Sequence, residues 1–197
     1  EIELKKLAAE KGLLVMGPDC GTAIVNGVGL GFANKVRRGP IGVVGASGTG
    51  LQQVTARIHE LGSGITHALG TGGRDLSEAV GAITARQSLD LLNRDPETTV
   101  IVLISKPPAK AVADSLLQAA RRSGKPVVVN FIGYTPPADV LANQNDNLHF
   151  AASLDKTAEL AVQLTNQLKE TQDQSGQTNN FADGQRYLRG LFSGGTL

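Results

Sequence analysis

The feature that most constrains this chain is an alternation of short apolar runs with amphipathic segments between residues 41 and 168. The runs are apolar throughout, which is typical of strands buried on both faces of a sheet. The predicted strands are Ile41–Val44, Ile65–Leu69, Val100–Ile104, Val127–Ile132 and Leu148–Ala152. The segments between them carry apolar residues at helical spacing and are predicted helices, at Leu51–Leu61, Glu78–Leu92, Ala111–Arg122 and Leu154–Leu168. Because parallel strands are joined by right-handed helical crossovers, this pattern predicts a doubly wound α/β domain with a mostly parallel five-stranded sheet.

The sequence on either side of this domain differs in character. Residues 3–11 predict the last turns of a helix, and a short strand is predicted at Leu13–Met16. Residues 17–40 are rich in glycine and predict an irregular connection. Residues 169–185 are polar and nearly free of apolar side chains, which predicts a linker. The sequence begins without Met and ends within glycine-rich residues, so we expect a fragment of a larger protein.

Charge and composition limit the partners that we expect. The formal net charge is +1, which gives no electrostatic reason to expect nucleic acid or a membrane surface as a partner. Cys20 is the only cysteine, so a disulfide framework is excluded and a reducing, cytoplasmic setting is expected. No apolar run approaches the roughly 20 residues that cross a bilayer.

Two glycine-rich loops follow predicted strands, "GASGTG" at 45–50 and "GTGGRDLS" at 70–77, and a third loop, "SKPPAK" at 105–110, carries a lysine. Since the carboxyl ends of parallel strands meet at one rim, we expect these loops to lie close together. Glycine amides and the start of a helix attract oxyanions. The loops therefore predict a phosphate-binding site formed by Ser47, Gly48, Thr49, Gly72, Gly73, Arg74 and Lys106. The alternative is that the glycines only form tight turns, and neither a Walker loop nor a Rossmann fingerprint is present.

A histidine within the second predicted strand is the remaining candidate. His67 precedes the loop at 70–77 and is either a ligand contact or a hydrogen-bonded core histidine. No spacing typical of metal ligands is present, so no metal is expected.

Three motifs, "GPDC" at 17–20, "IGVVGASGT" at 41–49 and "GTGGRD" at 70–75, resemble segments of the α subunit of succinyl-CoA synthetase and its relatives. In that family the segment that corresponds to "GPDC" is a Gly-Pro-Asn-Cys turn. Within that superfamily, "GITHALGTGGRDL", "SKPP", "GKPVVVNFIGYTP" and "RGLFSGGTL" resemble most closely the FdrA-like predicted acyl-CoA synthetases. The resemblance spans roughly residues 1–165.

The resemblance implies a domain organisation and a set of partners. Residues 1–20 would end a CoA-binding-type domain, 21–40 would connect, 41–168 would form a flavodoxin-like CoA-ligase domain, and 186–197 would begin a following module. CoA and ATP or ADP would be bound through other domains or subunits, with no cofactor held covalently. A small anionic or phosphorylated substrate and a homo-oligomeric assembly are also implied.

Two departures from that family concern phosphoryl transfer. In the synthetases a histidine after the fourth strand carries the phosphoryl group, but here the loop "IGYTPPADVLANQNDN" has no histidine. A glutamate that orients the histidine corresponds here to Lys106, a cation that would repel an imidazolium. We therefore expect no phosphate relay through histidine in the usual way.

Four functions remain open from the sequence. The first is an acyl-CoA ligase-type subunit, and the second is a subunit of a carbamoyltransferase, since FdrA-like proteins are associated with oxamate carbamoyl transfer in allantoin breakdown. The third is a non-catalytic regulatory module that keeps the anion pocket. A flavin-binding domain is disfavoured, because aromatic residues that could enclose a flavin ring are scarce.

Overall fold

The computed structural model describes residues 1–136 and 147–174. Within them, a seven-stranded sheet is covered by helices on both faces. The strands are β1 (Ala23–Val25), β2 (Val28–Gly29), β3 (Ile41–Ala46), β4 (Ile65–Gly70), β5 (Val100–Ser105), β6 (Val127–Phe131) and β7 (Leu148–Phe150). The helices are α1 (Ile2–Glu10), α2 (Gly48–Glu60), α3 (Ile83–Arg94), α4 (Lys110–Arg121) and α5 (Leu154–Gln174). None of these helices is both long enough and apolar enough to cross a bilayer.

The strand order is β2-β1-β4-β3-β5-β6-β7, and the five strands from β4 to β7 in that order are parallel. Counted along the chain, these five lie in the order 2-1-3-4-5, which is the flavodoxin-like arrangement. The predicted doubly wound, mostly parallel α/β fold is therefore confirmed. β3 occupies the centre, with β4 and β5 as its neighbours, so the loops that follow these three strands adjoin one another.

The sheet has two more strands than predicted, because residues 17–40 contain an antiparallel hairpin at the sheet edge. β1 pairs with both β2 and β4, and a two-residue turn at Asn26 and Gly27 joins β1 to β2. Both turn residues have positive φ, 53° and 74°, as a hairpin of this kind requires. The strands are too short to show alternation, so only the Asn-Gly pair marked the hairpin in the sequence.

The predicted strand at Leu13–Met16 is wrong. Carbonyl groups in this segment bind side chains of α3 and enter no ladder: Thr84 donates to the Val15 carbonyl and Gln87 to the Leu13 carbonyl. An extended apolar segment is thus held against a helix rather than against a strand.

The core is divided by the sheet into two apolar layers. One layer joins α3 and α4 to the sheet, and the other joins α2 and α5 to the opposite face. Every residue of β3, β5 and β6 is buried, which explains the uninterrupted apolar runs. α5 continues to Gln174, so the predicted linker begins within a helix; the rest of it and the module predicted at 186–197 lie outside the described residues.

Candidate functional site

The turn formed by residues 17–21 lies between the two glycine-rich loops. A β-carbon at Gly48 would lie 2.7 Å from the Cα of Gly21, and one at Gly72 would overlap the carbonyl oxygen of Pro18. Gly72 also has a φ of +92°, which a residue with a side chain rarely adopts. These two glycines therefore allow the backbones of the turn and both loops to touch, which is a structural role.

A cleft of about 390 Å³ opens beside this contact, at the carboxyl ends of the central strands. It is lined by Asp19, Gly21, Phe32, Gly48, Thr49, Gln52, Gly73 and Lys106. Four of the predicted phosphate-site residues, Gly48, Thr49, Gly73 and Lys106, therefore line the same cleft. They come from the loops after β3, β4 and β5.

The cleft presents groups that can hold an anion. Within the described ranges, no group accepts a hydrogen bond from the amides of Gly48, Thr49 or Gly73. The first two amides belong to the first turn of α2, whose helix dipole favours negative charge. Lys106 is exposed and forms no ion pair within residues 1–136 and 147–174. Three residues with free amides and one with a free ammonium group thus line the same cleft.

Ser47 has a local structural role at the start of α2. Its buried side chain accepts a hydrogen bond from the Gly50 amide at 3.3 Å, so it is the N-cap of the helix. It is not among the residues that line the cleft. It fixes the direction in which the first-turn amides of α2 point.

Two other predicted residues lie away from the cleft. Arg74 is 70% exposed, and its Nε donates to the Glu1 carboxylate at 3.0 Å. His67 accepts a hydrogen bond at Nδ1 from the Asn26 amide, and its Nε2 lies 3.5 Å from the Asp95 carboxylate. These contacts of His67 fit the alternative of a hydrogen-bonded core histidine.

A buried ion pair that sequence reasoning missed holds the second glycine-rich loop. Lys5 of α1 donates to Asp75 Oδ1 at 2.7 Å and to the Thr71 carbonyl at 2.9 Å, and both charged side chains are fully buried. Asp75 also accepts hydrogen bonds from the amides of Thr84 and Ala85, in the first turn of α3. The loop is thus held at both ends, at positions 71 and 75. The sequence gives no signal for a pair 70 residues apart.

Asp19 is the second site residue that sequence reasoning missed. Its Oδ2 lies 3.1 Å from the place that a β-carbon at Gly73 would occupy, and Lys106 Nζ lies 3.4 Å from the same place. The available signal was the motif "GPDC", in which this acidic residue follows a turn-forming proline. A carboxylate and an ammonium group therefore share one wall of the cleft.

A tyrosine and a carboxylate secure the chain just after β6. The Tyr134 hydroxyl donates to Asp114 Oδ1 at 2.7 Å, and Lys110 donates to the other carboxylate oxygen at 2.7 Å. Burial and the hydrogen bond to Asp114 raise the pKa of Tyr134 to about 12. The hydrogen bonds from Lys110 and Tyr134 lower the pKa of Asp114. Residues 137–146 of the loop that would carry the family's histidine lie outside the described residues.

No metal centre is found in the part of the chain that the structure describes. No group of three or more histidine, cysteine, aspartate or glutamate side chains is placed there to hold a metal ion.

The fold and the cleft together define a doubly wound α/β domain with a cleft beyond the carboxyl ends of its central strands, where domains of this kind bind ligands. The family model of the CoA binding domain matches residues 36–133. Relatives of the chain include α subunits of succinate–CoA and malate–CoA ligases. The chain belongs to this CoA-binding family of succinyl-CoA synthetase α-like proteins, and at that level the resemblance of its motifs is confirmed.

Individual relatives cover the chain to different extents. It is 48% identical over its whole length to the uncharacterized protein YahF of Escherichia coli (strain K12), of which it covers 39%. It is 29% identical to the α subunit of ADP-forming succinate–CoA ligase of Aquifex aeolicus (strain VF5), over 62% of this chain and 40% of that subunit. The chain thus spans about two fifths of the length of these curated relatives.

A solved structure shows the same fold. ATP citrate lyase from Methanothrix soehngenii, in complex with citrate and coenzyme A, matches with a TM-score of 0.64 and 15% identity. The match covers 96% of this chain and 35% of that chain. At this identity the likeness concerns the fold alone.

Proposed function

We propose that this chain supplies the phosphate-binding part of an acyl-CoA ligase-type enzyme of the FdrA type. The observation that carries the proposal is the cleft that Lys106 lines together with Gly48, Thr49 and Gly73, whose amides are free. CoA and ATP or ADP would be bound by other domains or subunits, and the substrate would be a small anionic or phosphorylated acid. We also expect more than one copy of the chain in the assembled cytoplasmic enzyme.

Each group in the cleft would have a distinct role. The amides of Gly48 and Thr49 would hold phosphate oxygens at the positive end of the α2 dipole. Gly73 would add an amide from the second loop, which the Lys5–Asp75 ion pair keeps in place. Lys106 would supply a full positive charge and stabilise negative charge on the oxygens as the phosphate leaves or attacks.

The position of Lys106 favours a reaction without a phosphohistidine. An ammonium group stands on the cleft wall, where the resemblance places the carboxylate that would steady an imidazolium. The acyl phosphate would then react directly with its acceptor, because no charged histidine would be stabilised there. Transfer of a carbamoyl group from carbamoyl phosphate is the second candidate that this observation favours. In that reaction the amide nitrogen of oxamate would attack the carbamoyl carbon and lose a proton, and the bond from this carbon to the phosphate oxygen would break, which releases inorganic phosphate.

Phosphate binding to the chain tests the anion site itself. Lys106→Gln removes the ammonium group and should weaken binding of inorganic phosphate roughly tenfold to a hundredfold, since hydrogen bonds to charged groups contribute about 1.5–3 kcal/mol. Lys110→Gln is the matched control, because Lys110 follows the same strand but pairs with Asp114 at 2.7 Å and does not line the cleft. Isothermal titration calorimetry measures both. Equal affinities of the two variants would remove Lys106 from the site.

Turnover by the assembled enzyme distinguishes the two reactions. ATP labelled on its terminal phosphate, with an acid and CoA, should give acyl-CoA without acid-labile phosphate on the protein if the first candidate is correct. Carbamoyl phosphate and oxamate should give oxalurate and inorganic phosphate if the second is correct. Acid-labile phosphate on this chain would contradict the absence of a phosphohistidine. Saturable phosphate binding without either turnover would instead favour a regulatory module.

A further inference from the structure

We propose that Asp19 makes the cleft selective for oxyanions that carry a proton, such as inorganic phosphate, over fully ionised ones such as sulfate. This inference rests on the proposed anion site, and it assigns the choice of ligand to a carboxylate. Asp19 would act as a specificity-determining residue, and Lys106 would supply attraction to either anion.

The first observation is that two opposite charges face one point without pairing. Asp19 Oδ2 and Lys106 Nζ lie 3.1 Å and 3.4 Å from the position of a β-carbon at Gly73, and both residues line the cleft. Neither side chain forms a hydrogen bond or an ion pair with any residue in the described ranges. Because they do not neutralise each other, both groups are free to contact a ligand in the cleft.

The second observation is that the backbone fixes Asp19 at the cleft. Its φ is 63°, in the left-handed region that aspartate and asparagine adopt more readily than most residues. The turn that carries it is held by the contact of Gly21 with Gly48 and by the contact of Pro18 with Gly72. The carboxylate is therefore placed beside Gly73 by the fold and not by a charged partner.

The chemistry of a carboxylate then decides between anions. An ionised carboxylate only accepts hydrogen bonds, so it repels an anion that offers no proton. Inorganic phosphate carries at least one P–OH group at neutral pH and can donate to Asp19, while its other oxygens accept from Lys106 and the amides. The resulting O–H···O⁻ hydrogen bond is of the short, strong type. Sulfate has the same shape but no proton, so Asp19 repels it, and only Lys106 and the amides attract it.

Calorimetric titration of the chain with inorganic phosphate and with sulfate at pH 7 tests the selectivity. We expect the wild-type chain to prefer phosphate about tenfold or more, as the strength of a charge-assisted hydrogen bond implies. Asp19→Asn keeps the size of the side chain but offers an amide donor, so sulfate should bind more tightly and the preference should largely disappear. Lys106→Gln should weaken the binding of both anions and preserve the ratio of their affinities.

Asp90→Asn removes an exposed carboxylate that pairs with Arg94 on α3, and it should leave the phosphate-to-sulfate ratio unchanged. Equal affinity of the wild-type chain for both anions, or an unchanged ratio in Asp19→Asn, would overturn the role of Asp19 alone. Failure of the folded wild-type chain to bind either anion would overturn the anion site and, with it, this inference.

Discussion

Replacement of Lys5 by methionine should destabilise the protein strongly, because it leaves a carboxylate buried without its cation. The side chains of Lys5 and Asp75 are both fully buried, and their charged atoms are 2.7 Å apart. Breaking a buried pair of this kind by removing one partner costs about 3–5 kcal/mol. Asp75 would keep its two amide donors on α3, so we expect a loss near the lower end, about 3 kcal/mol.

The double variant Lys5→Met/Asp75→Asn should be at least as stable as Lys5→Met alone. It removes both charges of the pair, and asparagine retains one oxygen to accept a hydrogen bond from the first turn of α3. Glu1, which also pairs with Lys5, keeps Arg74 as a cation. Replacing both members of a buried ion pair is often nearly neutral. The free energies of unfolding lost in Lys5→Met and in Asp75→Asn, added together, should therefore exceed the loss in the double variant by more than about 1 kcal/mol. Such a difference indicates direct coupling between the two residues.

Urea unfolding followed by circular dichroism measures these free energies of unfolding. Lys6→Met is the matched control, since Lys6 is the next residue on α1 but is exposed, and it should change stability by less than about 0.5 kcal/mol. If Lys5→Met costs no more than Lys6→Met, the buried pair does not stabilise the loop. If the two single losses simply add, the contact between the charges contributes nothing of its own.

Three further predictions concern pH and backbone packing. Burial raises the pKa of Asp95, but hydrogen bonds and neighbouring positive groups lower it more, so its pKa in the folded protein is below the unfolded value of about 3.9. Asp95 therefore stabilises the fold above the unfolded pKa, and this contribution is lost as the pH falls through the pKa of the folded state. Asp95→Asn should therefore make the loss of stability in acid shallower, as measured by urea unfolding across that range; an unchanged slope would contradict this. Asp114→Asn should lower the pKa of Tyr134 from about 12, seen as earlier tyrosinate absorbance in an alkaline titration, because the negative charge that opposes ionisation is gone. Gly72→Ala should cost about 2 kcal/mol or more in unfolding experiments, since Gly72 has positive φ and touches the turn, whereas Gly124→Ala meets open space and should be nearly neutral; equal effects would show that the close contact is dispensable.

The parallel part of the fold could be predicted because local pattern and burial agree. Strands such as Val100–Ser105 are buried at every residue, and an uninterrupted apolar run is the direct consequence. The edge hairpin could not be predicted in the same way, because β1 and β2 contain three and two residues. Their pairing depends on the neighbouring β4 and on the positive φ of the turn, which a hydrophobic pattern does not show.

The start of α3 was also misplaced for a tertiary reason. The pattern predicted a helix from Glu78, but the helix begins at Ile83, after Ala82 in the left-handed conformation. Asp75 accepts hydrogen bonds from the amides of the first turn, so a side chain seven residues before the cap satisfies them. Capping signals read from adjacent residues do not detect a cap supplied from that distance.

Some residues of the candidate site could be predicted from the topology, and others depend on tertiary contacts. Topology alone brings the loops after three adjacent strands to one rim, and this was sufficient to predict Gly48, Thr49, Gly73 and Lys106 as neighbours. Arg74 is the residue that topology could not place. It lies on the loop that follows β4, as expected, but its side chain pairs with the carboxylate of Glu1 and does not line the cleft.

The turn that carries Asp19 precedes the α/β units in the sequence and yet forms a wall of the cleft at the carboxyl ends of their strands. Its glycine contacts with both loops are the reason that a residue 87 positions before Lys106 in the sequence faces the same point in the cleft. In the family that the motifs resemble, the turn carries asparagine and the position of Lys106 carries glutamate, so two sequence departures meet at one place. A carboxylate is present on the turn and absent from the position of Lys106, and both side chains lie beside Gly73 on one wall of the cleft. The loss of the phosphohistidine partner and the gain of Asp19 are therefore consistent with a single change in the ligand, from a charged histidine to an oxyanion that itself carries a proton.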